Sequence, residues 1–527
     1  MKNRLSISPA VAALEAERLA LQLKLDGGLS PRERNETGQF STPPALANDI
    51  ARTVLRLWGD ENVRFLEPAL GTGAFFSALL QNFPRDKIES ADGVERDTQY
   101  ATAARQVWGD RGLQVTTEDF MNLRAEGRER LPNLILTNPP YVRHHHLSVR
   151  DKDQFQGLAA QISGGSVSGL SGLYTYFVFA AHQWLAEDGL AAWLIPSEFM
   201  DVNYGESLRR YLSHRVSLLH IHRFDPSDVQ FADALVSSAV VIFRRRIPSG
   251  SHEVLVSHGG CVSDPRHSDR IAVAALQRNR KWSRVFNGGS VQTSNSESPL
   301  SLLFSIKRGI ATGANGFFIL PRTEFAELGI DERFVKPILP PSRLVGEVID
   351  SDGSGFPLVK EQLAVIDTDM PIGKIREECP GLWRYLQEGQ HSGINKAYLL
   401  GKRSPWYRQE QRPPAPFLCT YMGRKKENGK TFRFFWNRST ATAANTYLLL
   451  YPIGDLKARL NADPRLARRV LELLNSLEPS ALRDQGRVYG GGLFKMEPRE
   501  LGRVDGSAIL QELGLQVDRQ RSLIDVQ

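Results

Sequence analysis

Short apolar runs alternate with helical stretches between Val63 and Arg244 of this 527-residue chain. The runs with the length and composition of buried strands are Val63–Leu66, Ala91–Val94, Leu134–Thr137, Leu190–Ile195, Ser217–His222 and Ala239–Phe243. Such alternation is typical of an open α/β sheet with helices on both faces. The last two runs are close enough in the chain to be antiparallel neighbours. The sequence therefore predicts a doubly wound α/β sheet with an antiparallel edge.

The length of the chain and its changes in texture predict several domains, since a domain usually holds about 150 residues. Residues 1–34 form an N-terminal helical extension, because Pro9 suits a first helical turn and an apolar stripe continues to Leu25. We assign residues 35–250 to a catalytic domain. The Gly-, Ser- and Asn-rich texture around Phe286 to Pro299 indicates that residues 251–300 are a linker or bridging segment. Residues 301–527, mixed and rich in aromatic and basic residues, form a second domain.

Composition excludes several classes of protein. No run of about 18 apolar residues offers a membrane span, and the N-terminus lacks the apolar core of a signal peptide. The three cysteines are far apart and show no metal-ligand spacing, so we expect no disulfide framework and no metal site. His144, His145 and His146 do not change this, because consecutive histidines point in different directions. We expect a protein of the bacterial cytoplasm without a membrane partner.

A glycine-rich segment, Glu67–Gly73, joins the first apolar run to the helical stretch that follows it. Glycines at a strand-to-helix turn let the backbone approach a ligand, at the edge where such sheets bind nucleotides. The segment lacks a full GxGxxG pattern. Glu67 would repel a pyrophosphate but attract an ammonium group. The aminoacyl end of S-adenosyl-L-methionine therefore fits this loop better than a dinucleotide does.

Residues farther along the chain extend the predicted cofactor site. Glu95 lies 22 residues after Gly73, at about the spacing where a carboxylate binds ribose hydroxyls. Asp119 would accept a hydrogen bond from an adenine amino group, and Phe120 would offer an aromatic edge to its ring. A Gly-x-Gly alone is usually a plain turn, so the order and spacing of these residues together carry the prediction.

The tetrapeptide Asn138-Pro139-Pro140-Tyr141 ends the run Leu134–Thr137. Two prolines cannot continue a strand ladder, and they hold the Asn138 side chain and the Pro139 carbonyl at the edge of the sheet. The exocyclic amine of adenine is a poor nucleophile, because its lone pair is delocalised into the ring. Accepting hydrogen bonds from both of its N–H groups would stabilise the positive charge that develops during attack on a sulfonium methyl. Tyr141 would offer a flat face to a base extruded from a duplex.

Together these segments resemble the ordered motifs of gamma-class N6-adenine DNA methyltransferases, the group that contains the TaqI methylase. The resemblance covers about residues 35 to 245 and includes the segment Gly38–Pro44. It implies a class I, Rossmann-like methyltransferase fold, site-specific methylation of adenine N6 in double-stranded DNA, and base flipping. It also implies these roles: Thr42 closes over the methionine end of the cofactor, Glu67, Ala69 and Gly71 line its pocket, Glu95 holds the ribose, and Asp119 and Phe120 hold the adenine. It further implies that Asn138, Pro139 and Tyr141 are catalytic, and that Asn138 also lies at the cofactor site.

One further aromatic residue enters through the resemblance. Phe231, ahead of Ser238, is similar to the aromatic that stacks on the flipped base opposite the tyrosine. Phe224 competes for this role, and a phenylalanine of the core is the alternative for either residue. The region Phe199–Gly205 and the chain length suggest a type II modification methylase of the PstI/BsuBI kind. Its restriction endonuclease would then be a functional but not a physical partner.

Positive charge is concentrated in the C-terminal half. From Gly401 to Thr440, ten lysines and arginines stand against two glutamates, while the whole chain carries +7, so the remainder is close to neutral. A charge run is usually a solvated face, but a catalytic domain that acts on DNA needs phosphate contacts. Lys307–Phe318 resembles the opening of the family's target recognition domain, which implies a mixed α+β fold here. The predicted DNA-binding residues are Arg403, Arg424, Lys425 and Lys426.

Other functions share parts of this pattern. The tetrapeptide also resembles the site of protein-glutamine and ribosomal-RNA guanine-N2 methyltransferases, whose acceptors are planar nitrogens as well. The large second domain and Gly38–Pro44 favour DNA. A modification subunit of a multi-subunit restriction system, or a fused restriction-modification enzyme, is a second alternative. A catalytically dead DNA-binding protein is a third. We find no nuclease-sized domain before residue 35, which favours a stand-alone modification enzyme.

Overall fold

A computed structural model describes residues 9–30, 33–34, 37–142, 149–225, 237–287, 298–424, 429–489 and 493–515. The chain divides into two compact units. Unit 1 comprises Met1–Gln292 with Val488–Gly492, and unit 2 comprises Thr293–Arg487 with Leu493–Gln527.

In the described part of unit 1, nine strands form one sheet in the order β3-β2-β1-β4-β5-β7-β6-β8-β9. Their bounds are β1 Val63–Glu67, β2 Ile88–Glu95, β3 Leu113–Thr117, β4 Leu134–Thr137, β5 Leu190–Pro196, β6 Ser217–Arg223, β7 Ser238–Arg244, β8 Glu253–Gly260 and β9 Pro265–Ala272. Strands β1 to β5 pair in parallel, whereas β7 runs antiparallel between β5 and β6. The predicted doubly wound sheet and its six strands are confirmed.

Helices cover both faces of this sheet, which explains the unbroken apolar runs of its central strands. The helices of unit 1 are α1 Pro9–Gly27, α2 Pro44–Leu57, α3 Ala74–Asn82, α4 Thr98–Trp108, α5 Val149–Ser163, α6 Leu173–Trp184, α7 Glu206–His214 and α8 Val273–Arg278. Apolar residues of α2, α3 and α4 pack on one face, and those of α6, α7 and α8 pack on the other. All four residues of β4 are buried between these layers. The N-terminal helix predicted from residue 9 is also present.

The sheet continues beyond residue 250, into the segment that we expected to be a linker. Strand β8 pairs in parallel with β6, and β9 ends the sheet as an antiparallel edge. Most side chains of β9 are exposed and polar, including Arg266 and Arg270. Charged side chains on an edge strand protect a sheet against unwanted pairing with other strands. In β9 they also replace the alternation of apolar and polar residues by which a strand is recognised in a sequence.

Unit 2 is a mixed α+β structure, as predicted. In its described part, β10-β19-β15-β17-β13 form one sheet and β11-β14-β12-β18 form another, while β16 pairs with β21. The strands are β10 Phe304–Arg308, β11 Ile319–Pro321, β12 Val335–Leu339, β13 Val348–Ile349, β14 Leu363–Ile366, β15 Phe417–Thr420, β16 Met422–Arg424, β17 Phe434–Asn437, β18 Thr442–Ala443, β19 Tyr447–Pro452 and β21 Leu493–Lys495. Strand β20, Arg487–Tyr489, falls mostly in the segment Val488–Gly492 that is grouped with unit 1. The helices are α9 Asn315–Phe318, α10 Arg322–Glu327, α11 Ile372–Glu378, α12 Pro380–His391, α13 Gly454–Ala462, α14 Leu466–Asn475, α15 Pro479–Gln485, α16 Pro498–Gly502 and α17 Ser507–Glu512.

The aromatic residues of the basic segment mostly build the core of unit 2. Phe417, Phe434 and Phe435 are at most 1% exposed, on neighbouring strands. Among the described residues, no helix has the length and apolar character needed to cross a bilayer.

Candidate active site

A pocket of unit 1 lies at the carboxyl ends of β1, β2 and β4. It encloses about 940 Å³ of empty space, part of which is open to solvent. Such an edge is where open α/β sheets bind their ligands. The pocket brings together every residue predicted to bind the cofactor: Thr42, Glu67, Ala69, Gly71, Glu95, Asp119, Phe120 and Asn138. Pro139 also lines it.

The glycine loop between β1 and α3 is held by its neighbours on both sides. The Gly71 N–H donates to Glu95 Oε2 at 2.8 Å. The Trp108 indole N–H donates to the Thr72 carbonyl at 2.9 Å. Gly73 has a φ of +85°, and a Cβ there would lie 2.7 Å from the Trp108 nitrogen. Glycine is needed at this position both for the left-handed backbone and for the close approach of the indole.

Glu67 ends β1 and is 2% exposed. Burial raises the pKa of its carboxyl group well above the usual range, although the Phe75 and Phe76 backbone N–H groups and the charge of Arg18 act against this. One carboxylate oxygen, Oε2, is buried without a hydrogen-bond partner. A buried acceptor is costly to leave unpaired, so this atom fits a cationic donor supplied by a ligand.

Glu95 ends β2 and braces the loop as well as the pocket. Its Oε2 accepts from Gly71 and its Oε1 accepts from the Asp97 backbone N–H at 2.8 Å. Burial raises the pKa of this carboxyl group too. Each carboxylate oxygen has a second lone pair, so both can still accept from ligand hydroxyls.

The adenine-binding candidates follow β3. Asp119 Oδ1 accepts from the Met121 backbone N–H at 2.9 Å, which fixes the direction of the carboxylate. Phe120 is 2% exposed, and its ring packs against Phe177 and Trp184 with centroid distances of 5.7 and 5.4 Å. This packing leaves Phe120 one orientation in the wall of the pocket.

The Asn138 amide is held by the segment that precedes α2. Its Nδ2 donates to the Phe40 carbonyl at 2.8 Å and to Thr42 Oγ1 at 3.1 Å. Both amide hydrogens are thereby used. The acceptor atom Oδ1 is buried and has no hydrogen-bond partner. The side chain is thus a preorganised acceptor at the end of β4, and its Oδ1 can accept a hydrogen bond from an N–H donor.

Tyr141 is placed differently from the open base-stacking face that we expected. The residue is 8% exposed and belongs to the core, and its hydroxyl donates to the Leu194 carbonyl at 3.1 Å. Its ring is tilted against Phe40 at a centroid distance of 5.8 Å. The backbone here is tight, because a Cβ on Gly38 would lie 2.6 Å from the Tyr141 nitrogen.

Several predicted residues lie outside the described part of the chain, namely Phe231, Lys425, Lys426 and the histidines 144 to 146. Phe224, the competitor of Phe231, is 2% exposed and packs edge-on against His222 at 4.7 Å. It therefore occupies a core position. Among the described residues, no three His, Cys, Asp or Glu side chains are grouped as metal ligands would be.

Of the predicted DNA-binding residues, Arg403 and Arg424 are described, and they differ in their surroundings. Arg403 donates to the carbonyls of Ala311 and Thr312 at 2.6 and 3.0 Å, and to Gln409 at 3.1 Å. Its guanidinium thus holds unit 2 together. Arg424 ends β16 and is exposed.

Helix α1 contributes to the pocket as well, which we did not predict from the sequence. Gln22 of α1 and Tyr100 of α4 both line it. The Tyr100 hydroxyl donates to Asp26 at 2.6 Å. Arg18 and Gln22, one helical turn apart, are polar yet buried. That spacing was visible in the sequence, but nothing in it shows what this face of the helix packs against.

Two protein families match the chain. The Eco57I restriction-modification methylase family matches residues 79–230, and the C-terminal domain family of the type II methyltransferase M.Eco57I matches residues 288–522. The chain is therefore similar to Eco57I-like type II methyltransferases in both matched regions.

Two type II methyltransferases are similar to this chain over most of their own length. The type II methyltransferase M.AccI of Acinetobacter calcoaceticus is 25% identical over 94% of this chain and 88% of its own. M.XamI of Xanthomonas campestris pv. amaranthicola is 28% identical over 84% of this chain and 80% of its own.

A solved structure shares the fold. The type IIL restriction-modification enzyme MmeI, determined in complex with DNA, superposes with a TM-score of 0.54 at 12% identity. The alignment covers 92% of this chain, which spans 64% of the MmeI chain.

Proposed function

We propose that this Eco57I-like methyltransferase transfers a methyl group from S-adenosylmethionine to the N6 nitrogen of adenine in double-stranded DNA. It would act at a specific site, as the modification enzyme of a type II restriction-modification system. The observation that carries the proposal is the Asn138 amide. Both of its hydrogens are bonded within the protein, and Oδ1 is left as a buried acceptor at the cofactor pocket.

The residues of the pocket fit S-adenosylmethionine. The partnerless Glu67 Oε2 would accept from the ammonium group of its methionine end, and Glu95 would accept from the ribose hydroxyls. Asp119 and Phe120 would hold the adenine. When bound, S-adenosylmethionine supplies an electrophilic methyl group on a sulfonium.

The chain's own part in the reaction is to activate an amine that is a weak nucleophile. Asn138 Oδ1 and the Pro139 carbonyl would accept from the two N–H groups of the target nitrogen. These contacts favour a pyramidal nitrogen and stabilise its growing positive charge, so no strong base is required before attack. Since the bonds from Nδ2 to Phe40 and Thr42 already fix the amide, Oδ1 needs little reorganisation.

The assignment to DNA draws on the relatives and on unit 2. M.AccI and M.XamI are type II methyltransferases, and MmeI was solved bound to DNA. The exposed Arg424, with Lys425 and Lys426 next to it in the sequence, would contact phosphates. A target adenine must leave the duplex to reach Asn138. Phe231 would stack on it, and Tyr141 would do so only once its ring, which lies in the core here, becomes exposed.

Three possible acceptors can be separated in one assay. The purified full-length protein is incubated with radiolabelled S-adenosylmethionine and unmethylated genomic DNA, ribosomes or release factors. We expect label in DNA alone, and its loss in Asn138→Ala. Label in ribosomes or release factors but not in DNA would instead identify a guanine-N2 or glutamine methyltransferase. No label with any acceptor, from a protein that binds the cofactor, would overturn the proposal.

A further inference from the structure

We infer that helix α1 forms part of the cofactor site, in addition to the pocket residues assigned above. Arg18 of this helix is a positioning residue for the glycine loop. Arg18 fixes the glycine loop through Thr72, beside Glu67 in the wall of the pocket. This inference rests on the proposed use of S-adenosylmethionine and deepens it, because it assigns a role to a segment before the predicted catalytic domain.

Arg18 is fully buried, which is rare for an arginine unless all its donors are paired. Its Nε and Nη2 donate to the Glu15 carboxylate at 2.8 and 2.6 Å. Its Nη1 donates to Thr72 Oγ1 at 2.9 Å and also to Gln22 Oε1. The guanidinium is therefore aimed from α1 at the glycine loop, 54 residues away in the chain.

Thr72 is the point at which α1 holds this loop. Its hydroxyl accepts from Arg18 and donates to Gln22 Oε1 at 3.1 Å, so the donor and one acceptor site are both used. Its carbonyl accepts from Trp108 of α4. The loop is thus fixed from two helices, immediately beside Gly71 and Glu67 in the wall of the pocket.

The charge of Arg18 acts on Glu67 as well. Burial raises the pKa of Glu67, the negative charge of Glu95 adds to this, and the positive charge of Arg18 opposes both. The charges that face Glu67 from the elements around it are thus Arg18 of α1 and Glu95 of β2, with Glu15 paired to Arg18. Without Arg18, the pKa of Glu67 would rise further, towards the protonated form, which cannot pair with an ammonium group.

A second tie connects α1 to the segment that holds Asn138. Asp26 Oδ1 accepts from the Tyr100 hydroxyl at 2.6 Å, and Asp26 Oδ2 accepts from Ser41 Oγ at 2.8 Å. Ser41 lies between Phe40 and Thr42, the two partners of the Asn138 amide. Helix α1 therefore contacts both the glycine loop and the segment around Ser41 that holds the Asn138 amide.

Two ligands separate a role at the methionine end from a general structural role. S-adenosylhomocysteine carries the amino-acid end, whereas 5′-methylthioadenosine lacks it. In calorimetry with the full chain, we expect Arg18→Met to weaken S-adenosylhomocysteine by roughly tenfold or more and to leave 5′-methylthioadenosine within about twofold. Glu67→Gln should show the same selectivity, and the double variant should lose little more than either single one.

A matched control is Lys24→Met, which removes a cation from the exposed face of the same helix and should change neither affinity. Arg18→Lys, which keeps the charge, should recover part of the S-adenosylhomocysteine affinity. Should Arg18→Met not fold, the nearly isosteric Thr72→Val carries the test, because it cuts the tether and should weaken S-adenosylhomocysteine alone.

The affinity for S-adenosylhomocysteine should also fall at a higher pH in Arg18→Met than in the wild type, since protonation of Glu67 becomes easier. Equal weakening of both ligands, or no weakening of either, would overturn the role of Arg18 while leaving the proposed function intact. A wild type that binds neither ligand would overturn the cofactor assignment itself.

Discussion

Replacing Asn138 by alanine separates the two tasks that the structure gives to its amide. The two hydrogen bonds from Nδ2 to Phe40 and Thr42 are lost. At about 1 kcal/mol for each neutral bond, the free energy of unfolding should fall by about 2 kcal/mol. Loss of Oδ1 removes a preorganised acceptor at the reacting nitrogen, for which about 10²–10³ in kcat is typical, or about 2.7–4 kcal/mol.

A matched control is available in Asn82, which is 8% exposed and lies outside the pocket. Its Nδ2 donates to Asn48 Oδ1 and to the Ala78 carbonyl, both at 2.7 Å. Asn82→Ala should lose a similar stability and keep its kcat. The assays are denaturant unfolding and methylation of DNA under single-turnover conditions. A turnover of Asn138→Ala within about threefold of the wild type would refute the reasoning, and so would an equal loss of kcat in Asn82→Ala.

The remaining predictions concern the cofactor, the glycine loop and the basic segment. Glu67→Gln should weaken binding of S-adenosylhomocysteine by roughly tenfold, since a charged hydrogen bond is lost. In the wild type, the affinity for S-adenosylhomocysteine should fall as the pH drops below the raised pKa of Glu67. A pH series of calorimetric titrations checks this. Gly73→Ala should lower the melting temperature more than Gly112→Ala, because both have a left-handed backbone but only Gly73 faces a side chain within 3 Å; equal losses would contradict this. Arg424→Ala should reduce the salt dependence of DNA binding by about one unit of slope, whereas Arg403→Ala should lower stability and leave that slope unchanged.

The fold of unit 1 could be predicted where burial leaves a clear mark on the sequence. Strands β4 and β5 are buried on both faces, so each appears as a continuous apolar run. The edge strand β9 carries mostly exposed polar side chains, so its sequence has no such mark, and the segment was interpreted as a linker. Whether a strand lies at the edge of a sheet depends on contacts with residues distant in the chain. The local sequence pattern does not show these contacts.

The candidate site shows the same limit. Glu67, Glu95 and Asn138 each follow a recognisable strand, and parallel strands end at one edge, so their convergence could be predicted. Arg18 could not be placed, because its partner Thr72 is 54 residues away and the contact depends on how α1 packs. Nor did the sequence show that the Tyr141 ring would lie in the core with its hydroxyl bonded to Leu194.

The identity of the methylated nucleoside decides whether adenine N6 is the acceptor. DNA treated with the purified protein and S-adenosylmethionine is digested to nucleosides and measured by mass spectrometry. We expect N6-methyldeoxyadenosine, formed by the wild type and by Asn82→Ala but strongly reduced in Asn138→Ala. Methylated deoxycytidine, or N6-methyldeoxyadenosine at undiminished levels in Asn138→Ala, would contradict this expectation.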